Sequence, residues 1–451
     1  MSRMFGTDGV RGVAGTELGI DLAMKLGQAG AYILSKDSGK KRPRLLVGTD
    51  TRISGDMLAN ALISGICSVG ADAVFAGVIP TPAIAYLTHV MDFDAGVVIS
   101  ASHNPMEFNG IKFFSNDGYK LPDEIEDKIQ DEIERGMSDI TFPTGADIGR
   151  VTYDFDIKRK YIDFEEKTVP VDLTGMKIVM DCANGASYIT NTTTVKEKGA
   201  DLIAINVDPD GTNINRNCGS THLEELQERV KKEHADIGIA FDGDADRMLA
   251  VDEEGRTVDG DEIMSICARF MKDNGRLNRD TLVVTVMSNI GISIMGRENG
   301  INIETTKVGD RYVLERMKEG GFNIGGEQSG HIIFLDDNTT GDGMMSALHL
   351  LDVMVKTGKK LSELRKVMNV FPQALVNANV PNDRKYYYLD DEEIRSRIDD
   401  LEKKFDGDGR VLIRPSGTEP LVRVMIEGKD QEEIERDAKE LASFIEKRMN
   451  F

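Results

Sequence analysis

Residues 45–52 read LLVGTDTR, an apolar run that leads directly into a polar loop. An amphipathic stretch from Asp56 to Val69 follows, and a helix start at 80–82 separates two further apolar runs, 73–75 and 95–99. Apolar runs that alternate with helical patterns predict a βαβαβ unit, because parallel strands need crossover connections that cover the sheet. We therefore predict a mostly parallel sheet with helices packed on it.

The same rhythm returns twice along the chain, and the last segment departs from it. The second round has predicted strands at 177–180, 202–205 and 237–241, and the third has a helix at 260–272, strands at 281–286 and 301–304, and a long helix over 340–357. The last segment has predicted strands at 370–380, 410–413 and 422–427 and charged amphipathic helices at 390–404 and 429–448. We predict three similar mixed-sheet α/β domains and a smaller C-terminal α+β domain, with boundaries at 1–152, 153–254, 255–367 and 368–451.

Composition limits the classes of function that the chain can serve. It has 451 residues and no run of about 18 apolar residues, so several domains and no membrane span are expected. The first residues lack the apolar core of a signal peptide and the four cysteines form no C-x-x-C pair, which predicts free thiols in a cytoplasmic protein. A net charge of −22 argues against nucleic-acid binding, and an anionic substrate would need a locally positive cleft.

The most informative loop is FDGDADR at 241–247, which lies between two apolar runs. In an extended backbone Asp242, Asp244 and Asp246 share one face, and their mutual repulsion favours a hard divalent cation such as Mg²⁺, Mn²⁺ or Ca²⁺. A solvated turn is the plain alternative. An EF-hand loop fits less well because Arg247 occupies the position that needs glycine, and the phosphatase pattern D-x-D-x-T/V fails at Asp246.

Four further polar or glycine-rich loops lie between apolar runs, at 5–12, 100–105, 325–331 and 414–420. Ser102 follows the end of a predicted strand, where ligands bind in doubly wound sheets, so it is either a phosphate carrier or a capping serine. The loop at 414–420 is typical of an anion-binding nest, because it combines Arg414 with two hydroxyl groups and an open glycine backbone. Taken singly, most of these loops also fit an ordinary turn.

The ordered set of motifs is more specific than any one of them. It consists of FGTDGVRG (5–12), SASHNP (100–105), DCANGA (181–186), NCGSTH (217–222), FDGDADR (241–247), TKVGDRYV (306–313), GGEQSGH (325–331) and RPSGTEPLVRV (414–424). On these motifs the chain resembles the α-D-phosphohexomutase superfamily, and within it the bacterial phosphoglucosamine mutases. One departure is GTDTR at 48–52, where many relatives carry a basic residue at the second position.

The resemblance implies four domains around one deep cleft and a role for each loop. It implies a phosphoserine at Ser102, and one Mg²⁺ ion held by Asp242, Asp244, Asp246 and the phosphate on Ser102. The other implied sets are the catalytic residues Arg11, His103, Lys112, Arg247 and His331, the sugar-binding residues Glu327 and Ser329, and the phosphate-binding residues Arg414, Ser416, Gly417 and Thr418. We expect Lys112 to be the general base, with His331 next, and nearby cations such as Arg247 to depress the pKa of Lys112.

The implied reaction interconverts glucosamine 6-phosphate and glucosamine 1-phosphate through a phosphoserine enzyme and glucosamine 1,6-bisphosphate, on the route to UDP-N-acetylglucosamine and the cell wall. Phosphomannomutase/phosphoglucomutase activity is the main alternative, and a metal-dependent sugar-phosphate hydrolase or a sugar-phosphate sensor are the others. The expected partner is a phosphosugar, with no nucleic acid and no membrane. Two questions stay open: whether the protein is a homodimer, and whether a kinase or autophosphorylation supplies the phosphate on Ser102.

Overall fold

The computed structural model describes residues 3–6, 8–36, 38–416 and 419–450. The strands are β1 (Val10–Val13), β2 (Arg44–Thr49), β3 (Asp72–Val78), β4 (Ala95–Ile99), β5 (Phe108–Ser115), β6 (Val151–Tyr153), β7 (Lys177–Asp181), β8 (Asp201–Ile205), β9 (Ile237–Phe241), β10 (Met248–Asp252), β11 (Thr257–Val258), β12 (Thr281–Thr285), β13 (Asn302–Thr306), β14 (Ile324–Gly326), β15 (Ile332–Phe334), β16 (Gln373–Asn379), β17 (Arg410–Pro415) and β18 (Leu421–Glu427). The α-helices are α1 (Ile20–Ser35), α2 (Ser54–Ser68), α3 (Thr81–Val90), α4 (Asp123–Glu134), α5 (Lys158–Thr168), α6 (Ser187–Glu197), α7 (Glu224–Glu233), α8 (Gly260–Asp273), α9 (Ile290–Asn299), α10 (Asp310–Gly320), α11 (Gly343–Thr357), α12 (Leu361–Leu364), α13 (Glu392–Phe405) and α14 (Gln431–Met449).

The chain divides into two compact units. The first comprises Met1–Met287 and Glu304–Lys366, and the second comprises Ser288–Ile303 and Val367–Phe451. The second unit thus combines the predicted C-terminal domain with an earlier segment that carries α9. The domain boundaries proposed within the first unit stay predictions.

The first sheet of the larger unit is mixed, with strand order β1-β5-β4-β2-β3-β6. The strands β4, β2, β3 and β6 pair in parallel, whereas β5 runs antiparallel to both β1 and β4. Leu45 and Val47 pack into one buried cluster with α1 and α2, and Leu46 packs into another with α3. The sheet is therefore covered by helices on both faces, as the βαβαβ pattern predicts.

Two further mixed sheets belong to the second and third predicted repeats. Their strand orders are β11-β10-β9-β7-β8 and β13-β12-β14-β15. In the first of them β7 is parallel to both neighbours and β10 is antiparallel to β9. In the other, β14 is parallel to β12 and antiparallel to β15. The predicted α/β class with mixed sheets is confirmed.

The smaller unit contains an antiparallel sheet of order β16-β18-β17, as predicted for the C-terminal domain. Asp391 caps α13 and Asp430 caps α14, because each aspartate side chain accepts hydrogen bonds from backbone N–H groups of the first helical turn. The buried faces of α14 and the sheet share one apolar core that includes Val424 and Leu441.

The described residues also bear on the cysteines and on membrane-spanning helices. All four cysteines are free, and three of them are buried. No helix in this part of the chain combines the length and the apolar character that a bilayer crossing requires.

Candidate active site

The aspartate triad lies in the tight connection between β9 and β10. β9 is fully buried and ends at Phe241, and Met248 begins β10 as its antiparallel partner. The connection closes through a left-handed Ala245, with φ of 60°, whose N–H donates to the carbonyl of Asp242 at 3.1 Å. Because the flanking elements are strands, the EF-hand alternative, which needs helices, is excluded.

The triad fits a divalent cation. Oxygens from Asp242, Asp244 and Asp246, one from each, lie within 4.8 Å of one another, and all three side chains are buried. The Oδ1 atoms of Asp244 and Asp246 accept no hydrogen bond from any described residue. Buried carboxylate oxygens without partners are costly unless a cation binds them. An all-oxygen set of this kind suits Mg²⁺ better than zinc.

The acids of the triad differ in pKa because their neighbours differ. Burial, together with the charges of Asp246 and Asp244, raises the pKa of Asp242 well above its usual value. Burial also raises the pKa of Asp244, but Lys112 and a 2.7 Å hydrogen bond from Thr81 Oγ1 outweigh it, so this pKa lies below its usual value. The crowded charge is thus only partly compensated by protein groups.

Ser102 lies against the triad. It follows the end of β4, is 1% exposed, and adopts a left-handed conformation with φ of 52°. Its hydroxyl donates to Asp242 Oδ2 at 2.5 Å, and His103 Nδ1 lies 3.5 Å from the same hydroxyl oxygen. The structure therefore brings together the predicted carrier serine, the predicted metal ligands and His103.

Lys112 reaches the same acids from β5, a strand that the periodicity did not predict. Its Nζ lies 3.0 Å from Asp244 Oδ2 and 3.8 Å from Asp246 Oδ2, and its side chain is buried. The expected depression of its pKa by cations such as Arg247 is wrong. Burial lowers the pKa of Lys112, but the charges of Asp244 and Asp246 more than reverse this effect, so the pKa lies above its usual value.

Arg11 and Arg247 bring positive charge to the site. Arg11 Nη2 lies 3.4 Å from Asp8 Oδ2, and Arg247 Nε lies 3.9 Å from Asp246 Oδ1. The Nε atoms of both arginines are buried and donate to no described residue. Burial and the charges of Arg247 and Arg11 lower the pKa of His103. Unsatisfied guanidinium N–H groups beside an acidic triad are suited to phosphate oxygens.

His331 also lies at the triad. It is 2% exposed, and its Nε2 is 3.6 Å from Asp310 Oδ2 and 4.0 Å from Asp246 Oδ2. Neither ring nitrogen is hydrogen-bonded to a described residue. Asp310 forms an ion pair with Lys120, whose Nζ also lies 3.1 Å from Asp8 Oδ1. The motif TKVGDRYV contains Asp310, but the sequence did not indicate this half-buried cluster of charges.

The two predicted sugar-binding residues lie on the β14–β15 hairpin. Glu327 and His331 close it through an N–H···O bond of 3.0 Å from Glu327 to the His331 carbonyl. Glu327 Oε1 accepts the N–H of Gly309 at 3.1 Å, and Ser329 is exposed. The loop at 325–331 is therefore an ordinary hairpin turn in its backbone, in which Glu327 is half-buried and Ser329 is exposed.

The predicted phosphate-binding residues belong to the smaller unit, at the β17–β18 turn. Ser416 N–H donates to the Leu421 carbonyl at 2.9 Å, and Ser416 Oγ accepts the N–H of Glu419 at 3.1 Å. Within the described residues, the hydroxyl hydrogen of Ser416 has no acceptor. Arg414 forms no ion pair with a described carboxylate, and the predicted residues Gly417 and Thr418 lie outside the described part of the chain.

Sequence reasoning missed the group that holds the Ser102 loop. Arg52, fully buried, donates to Asp50 Oδ2 at 2.9 Å and to three loop carbonyls, those of Ser102 (3.0 Å), Asn104 (2.8 Å) and Pro105 (2.5 Å). Ser100 Oγ links the same carboxylate to the backbone N–H of Ser102. The signal was present in GTDTR at 48–52, where an aspartate and an arginine follow a strand end next to the serine strand.

Comparisons with known proteins agree with this arrangement. Models of the phosphoglucomutase/phosphomannomutase family match four consecutive parts of the chain: alpha/beta/alpha domain I at 2–139, domain II at 159–255, domain III at 259–371 and the C-terminal domain at 350–443. Together they cover most of its length.

Full-length relatives and solved structures give the same result. The chain is 60% identical over 450 residues to a phosphoglucosamine mutase of Ruminiclostridium cellulolyticum and 59% identical to one of Clostridium botulinum, with 100% of each chain covered. A phosphoglucomutase/phosphomannomutase family protein from Burkholderia thailandensis matches in structure with a TM-score of 0.80 at 24% identity, covering 99% of this chain and 98% of that one. An Aspergillus fumigatus N-acetylphosphoglucosamine mutase, solved with GlcNAc-6P and magnesium, has a TM-score of 0.68 at 18% identity, covering 99% and 96%. At identities of 24% and 18% the structural matches show the fold alone. The family models and the 60% identity show that the chain belongs to the phosphoglucomutase/phosphomannomutase family of the α-D-phosphohexomutase superfamily.

Proposed function

We propose that the protein interconverts glucosamine 6-phosphate and glucosamine 1-phosphate, the activity for which its full-length relatives are named. The observation that carries the proposal is the 60% identity over the whole chain to a phosphoglucosamine mutase. The site geometry supports it, because a serine hydroxyl 2.5 Å from Asp242 is a position for a phosphoryl carrier rather than for a capping serine.

In the first half of the reaction the sugar O1 attacks the phosphorus of phosphorylated Ser102. The O1–P bond forms as the bond between phosphorus and Ser102 Oγ breaks; the O1 proton passes to a base, and Ser102 Oγ takes up a proton to become a hydroxyl group again. The product is glucosamine 1,6-bisphosphate. Arg11 and Arg247, whose Nε groups are unsatisfied, can stabilise the charge on the transferring group.

In the second half the bisphosphate turns end for end. Ser102 Oγ gives up its proton and bonds to the phosphorus on O6, and the bond between that phosphorus and O6 breaks as O6 takes up a proton. Glucosamine 1-phosphate then leaves and the phosphoserine is restored. In each half the phosphate that does not react would be held by Arg414, Ser416, Gly417 and Thr418, while Glu327 and Ser329 hold sugar hydroxyls that are common to both orientations.

The residues that would hold Mg²⁺ are Asp242, Asp244 and Asp246, together with the phosphate on Ser102. When bound, the ion supplies charge neutralisation at the transferring phosphoryl group. Its ligands include the two acids that raise the pKa of Lys112. A divalent cation bound by Asp244 and Asp246 would offset the negative charge that raises the pKa of Lys112. Lys112 therefore stays the first candidate for the base, and His331 is the second.

The test is a substrate panel on isolated phosphoprotein with Mg²⁺. Glucosamine, glucose and mannose 6-phosphates are compared by kcat/KM under one set of conditions. The proposal expects glucosamine 6-phosphate to be preferred. A clear preference for mannose or glucose phosphate would instead assign the rival phosphomannomutase/phosphoglucomutase activity.

The same panel separates a mutase from a hydrolase. A mutase conserves the phosphoryl group, so turnover should release no inorganic phosphate in stoichiometric amounts and should depend on the 1,6-bisphosphate. We further propose a cytoplasmic location. Light scattering would test whether the protein is a homodimer. Mass spectrometry would test whether a kinase or autophosphorylation first places the phosphate on Ser102.

A further inference from the structure

One segment supports the turn that is proposed to bind the second phosphate. Residues 380–388, the supporting segment, donate three hydrogen bonds to carbonyls of β17 and the turn. The donors are Val380 N–H to the Pro420 carbonyl at 3.0 Å, Lys385 Nζ to the Ser416 carbonyl at 2.5 Å, and the Tyr388 hydroxyl to the Ile413 carbonyl at 3.2 Å. Because these three carbonyl oxygens accept hydrogen bonds from the supporting segment, their partial negative charges do not face an incoming anion.

Lys385 is unusual among these donors because it carries a buried charge. It is 7% exposed, and it is the one buried basic residue in the described part of the smaller unit. Its ammonium forms no ion pair with a described carboxylate, although the chain has 77 acidic residues. An ammonium group removed from water without a counter-charge is destabilising, and an anion that arrives from outside would relieve that cost.

A buried lysine elsewhere in the chain shows what a purely structural role looks like. Lys198 Nζ donates to the carbonyls of Glu166 and Val169, at 3.1 and 2.6 Å. There the nearby carboxylates of Glu166 and Glu165 partly balance the effect of burial on the lysine pKa. Lys385, like Lys198, forms no ion pair with a described carboxylate, but it differs in its carbonyl partner, which belongs to a proposed phosphate-binding turn.

The β17–β18 turn carries two arginines next to each other, and only one of them pairs with a described acid. Arg414 and Arg423 are direct cross-strand partners of β17 and β18. Glu419 compensates Arg423 at 3.2 Å, whereas Arg414 has no ion-pair partner among the described residues. Two cations without counter-charges, Arg414 and Lys385, therefore flank Ser416.

We propose that Lys385 is a positioning residue of this phosphate subsite. It fixes Ser416 through the carbonyl of that residue, and its charge stabilises the phosphate group that does not react. The inference rests on the proposed function only in that the turn at 414–420 binds a phosphate, so it holds for any phosphohexose substrate.

Binding is measured by titration calorimetry on the full chain in a Ser102→Ala background, so that no turnover occurs. The ligands are glucosamine 6-phosphate and inorganic phosphate. Lys385→Met should weaken the binding of glucosamine 6-phosphate roughly tenfold, the cost of one lost charge-assisted interaction. Lys385→Arg should restore most of the affinity, because the positive charge is kept.

Two matched variants separate the proposal from its alternatives. Lys429→Met removes an exposed lysine of the same unit, one that pairs with Asp408, and should leave the affinity unchanged. Lys198→Met removes a structural buried lysine and should lower Tm without changing the affinity. The proposal is overturned if Lys385→Met lowers Tm alone, if Lys429→Met weakens binding equally, or if Lys385→Arg is as weak as Lys385→Met.

A gentler variant covers the case in which Lys385→Met does not fold. Lys385→Gln keeps a donor for the Ser416 carbonyl and removes the charge, so it should lose affinity like the methionine variant; unchanged affinity would overturn the proposal. Failure of the proposed function is seen separately. If the wild-type enzyme turns over glucose phosphate and Lys385→Met still loses affinity for that sugar phosphate, the substrate assignment falls and the subsite stands.

Discussion

Arg52 offers the sharpest test of how the Ser102 loop is held. Arg52→Met removes a fully buried guanidinium that donates four hydrogen bonds, one of them to the equally buried Asp50. Breaking a buried ion pair by removing one partner costs about 3–5 kcal/mol. The three loop carbonyls add little to this figure, because each keeps another donor. Asn215 Nδ2 donates to the carbonyls of Ser102 and Asn104, and the Phe108 N–H donates to that of Pro105 at 3.2 Å.

Protonation of Asp50 limits how much stability the loss of Arg52 can cost. Burial raises the pKa of Asp50 and Arg52 lowers it. Without Arg52 the carboxyl takes up a proton at a higher pH, which limits the penalty for leaving it unpaired. We therefore expect a loss of about 3–5 kcal/mol at neutral pH, and a smaller loss in acid, where Asp50 is protonated.

The assay is urea unfolding followed by circular dichroism, since the chain has no tryptophan. Arg52→Met, Asp50→Asn and the double variant are compared at one pH. The double variant should be less destabilised than the sum of the single variants, because each single variant leaves one charge unpaired. A loss below about 1 kcal/mol for Arg52→Met, or strict additivity, would refute the reasoning. The same variant should transfer phosphate to Ser102 more slowly, because fewer hydrogen bonds then hold the loop that presents the hydroxyl.

The remaining predictions concern the site residues directly. Ser102→Ala should lose both the phosphate-sized mass increment and turnover; an alanine variant with full activity would remove the carrier role. Asp244→Asn should weaken Mg²⁺ binding and sharply lower kcat, as measured by calorimetry and steady-state kinetics, whereas normal turnover of chelator-treated wild-type protein would contradict a metal site. Arg414→Ala should raise KM for phosphosugars through loss of charge-assisted hydrogen bonds of ~1.5–3 kcal/mol each, with metal affinity and the phosphate on Ser102 unchanged; a wild-type KM would exclude the role. Glu327→Ala should lower kcat/KM for glucosamine and glucose phosphates by a similar factor of roughly ten to a hundred, and a loss confined to one sugar would show that Glu327 discriminates between them.

Local patterns predicted those parts of the site that depend on local geometry. The strand at Ile237–Phe241 has the predicted bounds, and the carboxylates of the triad that follows it come together as predicted. They do so through a tight turn closed by the left-handed Ala245, not through the extended backbone that the prediction assumed. Ser102 follows the end of β4 as predicted, since the buried apolar run fixes where the strand stops.

The parts that the sequence did not reveal depend on contacts between distant residues. β5, which carries Lys112, lies between β4 and the N-terminal β1, and its pairing with Val10–Val13 has no local signature. Arg52 was overlooked because its carbonyl partners come from residues 102–105, and backbone carbonyls leave no mark in a sequence. The error about the pKa of Lys112 has the same origin. The arginine was visible from the motif, but the 3.0 Å contact with Asp244 was not.

A protein with a net charge of −22 must still attract a substrate with phosphate groups, and the two proposed phosphate subsites do so differently. At the triad each cation is close to an acid: Lys112 lies beside Asp244, Arg247 beside Asp246 and Arg11 beside Asp8. These cations compensate the acids of the triad only in part, so affinity for a phosphoryl group at the triad depends on the divalent ion. In the smaller unit Arg414 and Lys385 have no such partners among the described residues, and their charge acts directly on the anion. Removal of the metal should therefore abolish transfer while leaving phosphosugar binding at the turn largely intact, and added salt should weaken that binding because the charges at the turn are opposed only by solvent ions.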